Sequence, residues 1–443
     1  MAGIGVYERI GQLCSEIRSE YIKTVARQDR ENRSWTRQRN MPLEDILRCT
    51  LSKKGLSATM EVRRYFQEAG KMEKTVSKQN YLKQRKKLNP EVFKLLNRNY
   101  ITRFYEGQEA KEWQGYLVMA IDGSRVEIPN SKENREVYGE SKTRYGKSSA
   151  RASLSALHDV FNRFLVDIVI DKYLGSEIEA GKLHIEALKE IMGDRPVLIM
   201  FDRGYSSLEF MEFLENAGIK YLIRLPGRRY KAEVAGMKTS DEEVELVYTK
   251  SRLNSLKQKS SQLAEELLQK QSIRARIVKA ELEKGEQVSF ITNLTEGTSE
   301  DIQQLYRKRW SIEAKYHTLK NKLKFESVTG KASIYVEQDF WAQTLVFNMI
   351  QDLITGAEYP AAKKAKEKQL RYEVRINENI AIGLFKEQFI RLMLEEDDAQ
   401  KEQMFRTLTT DMERNIVPVR ELKSSPRKWK YYNKYDCNLK PSF

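Results

Sequence analysis

Cysteine and histidine are both scarce, three of each in 443 residues. Cys14, Cys49 and Cys437 lie far apart, with no CxxC pair and no Cys/His cluster, which excludes a zinc site and a disulfide framework. Buried or incidental thiols in a reducing compartment are expected instead. His158, His184 and His317 show no metal-ligand spacing. The chain also lacks a P-loop, a GxGxxG turn and a GxSxG elbow, so nucleotide-cradling loops and serine-nucleophile chemistry have no marker. No apolar run approaches the length of a membrane span, and the N-terminus has no signal-peptide pattern. The expectation is an intracellular protein with no membrane partner. Only 9 Pro stand beside 22 Gly, and 40% of residues are hydrophobic, as in a globular chain.

Positive charge is abundant. Seventy-eight Lys and Arg against 63 acids give a net charge of +15, which favours a polyanionic partner, nucleic acid first and an anionic membrane surface second. The excess is distributed. Tyr21 to Asn40 holds six cations against two acids, Leu82 to Phe104 seven against one, and Pro418 to the end seven against two.

Residues 1–110 read as short helices, including one from Ala58 to Ala69, a Lys/Arg-rich one around Leu82 to Leu88, and one opened by Asn89-Pro90-Glu91. A DNA-binding unit and a helical bundle with a solvated basic face both fit. From residue 111 the period changes. Gly115 to Ile121 is a continuous apolar run that suits a buried strand ending at Asp122-Gly123-Ser124, with a second strand at Arg125 to Pro129. Two further strands, Ala152 to His158 and Phe164 to Ile170, precede a helix from Ser176 to Ile191. Pro196 to Phe201 is another apolar strand ended by Asp202, followed by a helix and a strand at Tyr221 to Leu225. Residues 226–285 are polar and partly helical and read as an inserted, β-containing subdomain. Residues 286–330 return to the α/β core, and 331–443 are helical with a basic, aromatic tail for dimerisation or DNA contact. Helices interleaved with strands that end in acids define an α/β fold with a mixed sheet.

One stretch, Leu305 to Glu326, carries two stripes on a single expected helix. Leu305, Ile312, Tyr316, Leu319 and Leu323 form an apolar seam. Tyr306, Arg309, Glu313 and Lys320 fall within an arc of roughly 60°. An amphipathic helix with an Arg309–Glu313 ion pair explains this pattern, and so does a metal-and-phosphate site. Asp122 and Asp202 at two strand ends, together with Glu313, form a three-carboxylate set that is less frequent by chance. Cleaving a phosphodiester without a histidine base is work that carboxylate-held divalent metals perform.

The spacing Tyr306-x2-Arg309-x3-Glu313-x6-Lys320 resembles the YREK signature of the DDE transposases of insertion-sequence family four. Asp122 in Ile-Asp-Gly-Ser and Asp202 in Phe-Asp-Arg-Gly-Tyr resemble that family's two catalytic aspartates. The resemblance covers about Tyr116 to Glu326 and extends more weakly to the basic N-terminal helices and the tail. It implies a ribonuclease-H-like mixed sheet with flanking helices, in which Asp122, Asp202 and Glu313 hold Mg²⁺ or Mn²⁺, two per active site. It further implies that Tyr306, Arg309 and Lys320 grip phosphates of double-stranded DNA. Trp310 matches an aromatic that stacks near a flipped base in some members, although a core position fits it too. The implied activity is cleavage at terminal inverted repeats and strand transfer into target DNA by a homodimer in a synaptic complex, in a bacterial or archaeal cytoplasm. The alternative is a transposase-derived DNA-binding or regulatory protein without transposition.

Overall fold

The apolar run before Asp122 becomes the first half of β1 (Leu117–Glu127), whose first five residues are all buried. Burial on both faces marks a central strand. The computed structural model describes residues 2–28, 34–36, 39–107, 110–142, 146, 148–281 and 286–419. Beyond Ile121 the strand becomes half-buried at Asp122, Gly123 and Ser124 but runs on to Glu127. The expected break at Asp122-Gly123-Ser124 is therefore corrected: burial ends there, while the strand continues.

The chain divides into two compact units, one of Met1–Phe104, Glu127–Val137 and His317–Phe443, the other of Tyr105–Val126 and Tyr138–Tyr316. The second holds the sheet. After β1 come β2 (Glu140–Lys142), β3 (Ser148–Asp159), β4 (Leu165–Lys172), β5 (Val197–Phe201), β6 (Lys220–Arg224), β7 (Asp241–Val247), β8 (Ser272–Glu281) and β9 (Gln287–Thr292). Their order is β2-β3-β1-β5-β6-β9-β8-β7, with β4 paired to β3. β3 and β4 form an antiparallel hairpin, whereas β1, β5 and β6 are parallel. The hairpin turn is held by Asp159, which accepts from the N–H groups of Phe161 and Asn162 and from the Tyr105 hydroxyl. This is the mixed, ribonuclease-H-like sheet with flanking helices that the sequence led us to expect.

Side chains alternate across the central strands. Val118, Ala120, Leu198, Met200 and Leu222 share a cluster with Phe290, Ile302, Leu305 and Tyr306, so the helix Ser299–Arg307 packs on that face. Phe201 lies one position along and meets Phe210 of the helix Leu208–Asn216 edge to face, with ring centroids 5.2 Å apart. Residues 226–285 contribute β7 and β8, which extend the same sheet through β9, and the short helices Asn254–Lys259 and Ser261–Lys270. β7 is a strand that the sequence reading missed.

The first unit is helical. Its centre is the 35-residue helix Ser333–Glu367. On it, buried Asp339 receives Lys53 at 3.0 Å, Arg85 at 2.8 Å and the Thr329 N–H at 2.6 Å. Asp352 accepts from Nε and Nη2 of Arg9, each at 2.8 Å, and from the Tyr100 hydroxyl at 2.7 Å. These bonds place the N-terminal helices and the C-terminal helical region in one body. Cys14 and Cys49 are buried free thiols. The basic tail from residue 420 and Cys437 lie outside the described residues. Among the described residues no helix is long and apolar enough to cross a membrane.

Candidate active site

Parallel pairing of β1 with β5 aligns Ala120 with Met200. Asp122 stands two residues beyond Ala120, still within β1, and Asp202 two residues beyond Met200, just past the end of β5. Asp202 immediately precedes a tight 3₁₀ turn, Arg203–Tyr205. The Asp122 carboxylate accepts from the Gly123 N–H at 2.9 Å.

The third acid arrives on a segment expected to be one helix. The structure corrects that expectation. The α-helix Ser299–Arg307 tightens into a 3₁₀ turn at Lys308–Trp310, resumes as α-helix over Ser311–His317, and widens into a π-helical turn at Thr318–Lys322. No proline or glycine lies between Leu305 and Glu326, so tertiary bonds set the changes of pitch. Two tyrosines show how. The Tyr306 hydroxyl donates to the Phe201 carbonyl at 3.2 Å, and the Tyr316 hydroxyl donates to the Asp122 carbonyl at 2.7 Å. The segment is thus fastened to the end of β5 and to β1 at Asp122, and Glu313 lies between the two fastenings in sequence. The apolar seam is as expected: Leu305, Ile312, Tyr316, Leu319 and Leu323 are all buried.

Arg309 lies among the acids. It is only 6% exposed, with Nη1 3.5 Å from Asp122 Oδ2 and Nη2 3.5 Å from Glu313 Oε1. Its guanidinium carbon lies 5.7 Å from the Tyr306 ring centroid. Burial works against this cation, and Tyr306, Asp122, Asp202 and Glu313 outweigh it, so its pKa is raised. Burial pushes the Asp122 carboxyl up; Arg309 and the Gly123 N–H oppose this, and the negative charges of Glu313 and Asp202 add to it. Burial likewise takes the Tyr306 phenol up to about 12, against the pull of Arg309. Nε and Nη1 of Arg309 have no hydrogen-bond partner among the described residues.

Of the other expected site residues, Trp310 is 53% exposed, which excludes the core position the sequence left open. Tyr306 is buried with its hydroxyl on a backbone carbonyl. Lys320 falls in the other unit, on the π-helical turn. One further carboxylate had no sequence signal. Glu177 opens the helix Glu177–Met192, and its two oxygens lie over the glycines that follow the aspartates. A Cβ on Gly123 would stand 3.4 Å from Oε1, and one on Gly204 would stand 3.5 Å from Oε2. An acid in a helix's first turn is ordinary, and only the folded sheet brings this one to the strand ends.

The donor types suit a hard divalent cation: three carboxylates from two strand ends and a helix, with no thiol or imidazole among them. Among the described residues no three such side chains converge closely enough to hold a metal ion as they stand. A guanidinium already occupies the space between two of them.

Fold and site together define a class: a mixed-sheet α/β protein with acids gathered where the parallel pairing of its central strands β1 and β5 ends. The family described as Transposase DDE domain matches residues 113–349, more than half of the chain. The chain belongs to that family. Among solved structures it is similar to the cryo-EM structure of a piggyBac transposase synaptic complex with hairpin DNA. That likeness has 9% identity and a TM-score of 0.42, over 95% of this chain and 84% of that one. No curated protein matches the chain.

Proposed function

We propose that this protein is a metal-dependent DNA transposase that cleaves at terminal inverted repeats and joins the freed ends to target DNA. The observation that carries the reading is Arg309, buried between Asp122 and Glu313 and within the field of Asp202, inside the segment that matches the transposase family. Asp122, Asp202 and Glu313 would hold Mg²⁺ or Mn²⁺. Two such ions supply an activated attacking oxygen and neutralise charge on the phosphate.

The protein's own groups then have distinct tasks. Tyr306 and Tyr316 hold the helical segment on β5 and β1 and so set where Glu313 stands. Arg309 is the counter-charge of the acids in this arrangement. Its Nε and Nη1, which have no hydrogen-bond partner among the described residues although Nη1 stands 3.5 Å from Asp122, are donors for a phosphate oxygen once substrate arrives. Exposed Trp310, on the same turn, offers a face for an unstacked base, and Lys320 carries a further cation for the backbone. A homodimer bridging two transposon ends completes the proposal.

The guanidinium among the acids favours one second reading, a transposase-derived protein that binds DNA without cutting it. The two readings separate on a plasmid carrying the element's own terminal repeats, incubated with protein and Mg²⁺ or Mn²⁺. Cleavage at the repeat boundary supports the enzyme. Specific binding with no nicking in either metal supports the regulatory protein and refutes the proposal.

A further inference from the structure

Beside the turn that follows Asp202, a cavity of about 520 Å³ opens between three elements of the sheet-bearing unit. The turn supplies Arg203, the residue next to Asp202. The end of β6 and its following loop supply Arg224, Arg229 and Lys231. The hairpin of β8 and β9 supplies Lys279 and Glu286. Among the described residues five cations therefore face one acid, and Glu286 is occupied by Arg224 at 2.7 Å. Among the described residues Arg203, Lys231 and Lys279 have no ion pair.

The walls are fixed to the carboxylate site. Arg229 donates to the Ser206 hydroxyl at 3.1 Å, and the Tyr230 hydroxyl donates to the Ser206 carbonyl at 2.8 Å. The loop after β6 is thereby tied to the turn after Asp202. On the far side, the Leu225 N–H bonds the Ser289 carbonyl at 2.8 Å, and Ser289 pairs with Lys279. Cations on three separately anchored elements suit several successive phosphates better than one small anion. A cavity of this volume is the size of a small-ligand pocket, so it admits one strand and not a duplex. Among the described residues no aromatic side chain lines it, which removes base stacking on them as a source of affinity or sequence preference.

We infer that this cavity takes the phosphodiester backbone of a single DNA strand running past the carboxylate site, without reading its bases. The inference rests on the transposase reading for its biological substrate, but its test does not depend on catalysis. The probe is a fluorescein-labelled sixteen-residue oligothymidylate, bound to the full chain in EDTA and titrated by anisotropy between 50 and 200 mM KCl. Lys231→Ala/Lys279→Ala removes two contacts, each contributing about 0.7 to the slope of log affinity against log salt. The slope falls by about 1.4, and the loss of affinity over that salt range shrinks about sevenfold. Oligoadenylate of the same length behaves alike. Lys231→Gln and Lys279→Gln singly lower the slope by about half as much, which keeps the test open should the double variant fold poorly.

An unchanged slope, no binding of the strand by the wild type, or an equal fall in the control Lys366→Ala/Lys368→Ala overturns the subsite. Failure of the wild type to nick plasmid in Mg²⁺ or Mn²⁺, with the strand-binding result intact, overturns the transposase reading and leaves the subsite standing.

Discussion

Replacing Arg309 by methionine keeps the buried stem and removes the cation that pairs with both Asp122 and Glu313. A pair of unit charges about 4 Å apart is worth about 4 kcal/mol at an effective dielectric near 20. Exposure of Glu313 and the desolvation of the guanidinium reduce this to a net of about 1–2 kcal/mol. Any divalent cation binding these carboxylates in the wild type has to compete with that interaction. Arg309→Met is therefore expected to bind Mn²⁺ about five- to thirty-fold more tightly. The same variant is expected to bind DNA more weakly and with a shallower salt dependence, because the phosphate contact proposed for Arg309 is removed. Mn²⁺ affinity is read by titration calorimetry and by the rise of the thermal midpoint with Mn²⁺ concentration. Equal or weaker Mn²⁺ binding by a folded variant refutes the placement of Arg309 as counter-charge to a metal site.

Two further outcomes concern the helical unit. Asp339→Asn leaves Lys53 and Arg85 buried without their shared carboxylate and is expected to cost about 3–5 kcal/mol in urea unfolding; a loss below about 1 kcal/mol contradicts the role given to this network. Lys386 is buried with Nζ 3.5 Å from the Leu323 carbonyl, and burial first, then Lys53, lowers its pKa to about 7. An unfolded lysine titrates near 10.4, so between about pH 7 and 10 the unfolded chain binds more protons and stability rises with pH. Lys386→Met is expected to flatten that rise; parallel midpoint-against-pH curves for variant and wild type contradict it.

Asp122 and Asp202 were legible because each follows an all-apolar run, and such a run specifies a buried strand whatever the rest of the chain does. The seam on the third segment was legible because its spacing survives modest changes of pitch. The changes themselves were not. Nothing local in Lys308–Trp310 breaks a helix, and the bonds from Tyr306 and Tyr316 to two distant strands exist only after the sheet forms. β7 was hidden for a related reason. Asp241-Glu242-Glu243-Val244-Glu245 is poor strand material alone, but β8 sets Arg276 opposite Glu243 and Arg274 opposite Glu245, and opposite charges stabilise a cross-strand pair. The spacing that marked Tyr306 and Arg309 said nothing of their burial. Glu177 and the cations around Arg203 are ordinary residues in sequence, and only tertiary packing brings the one over Gly123 and Gly204 and gathers the others around one cavity.

The most direct test of the carboxylate site compares the wild type with Glu313→Gln on DNA carrying the terminal repeats, in Mg²⁺ and in Mn²⁺. The wild type should cut at the repeat boundary, and the variant should bind the same DNA with similar affinity and leave it intact. Cleavage by Glu313→Gln at the wild-type rate, or joint loss of folding and DNA binding in that variant, would contradict the role assigned to Glu313.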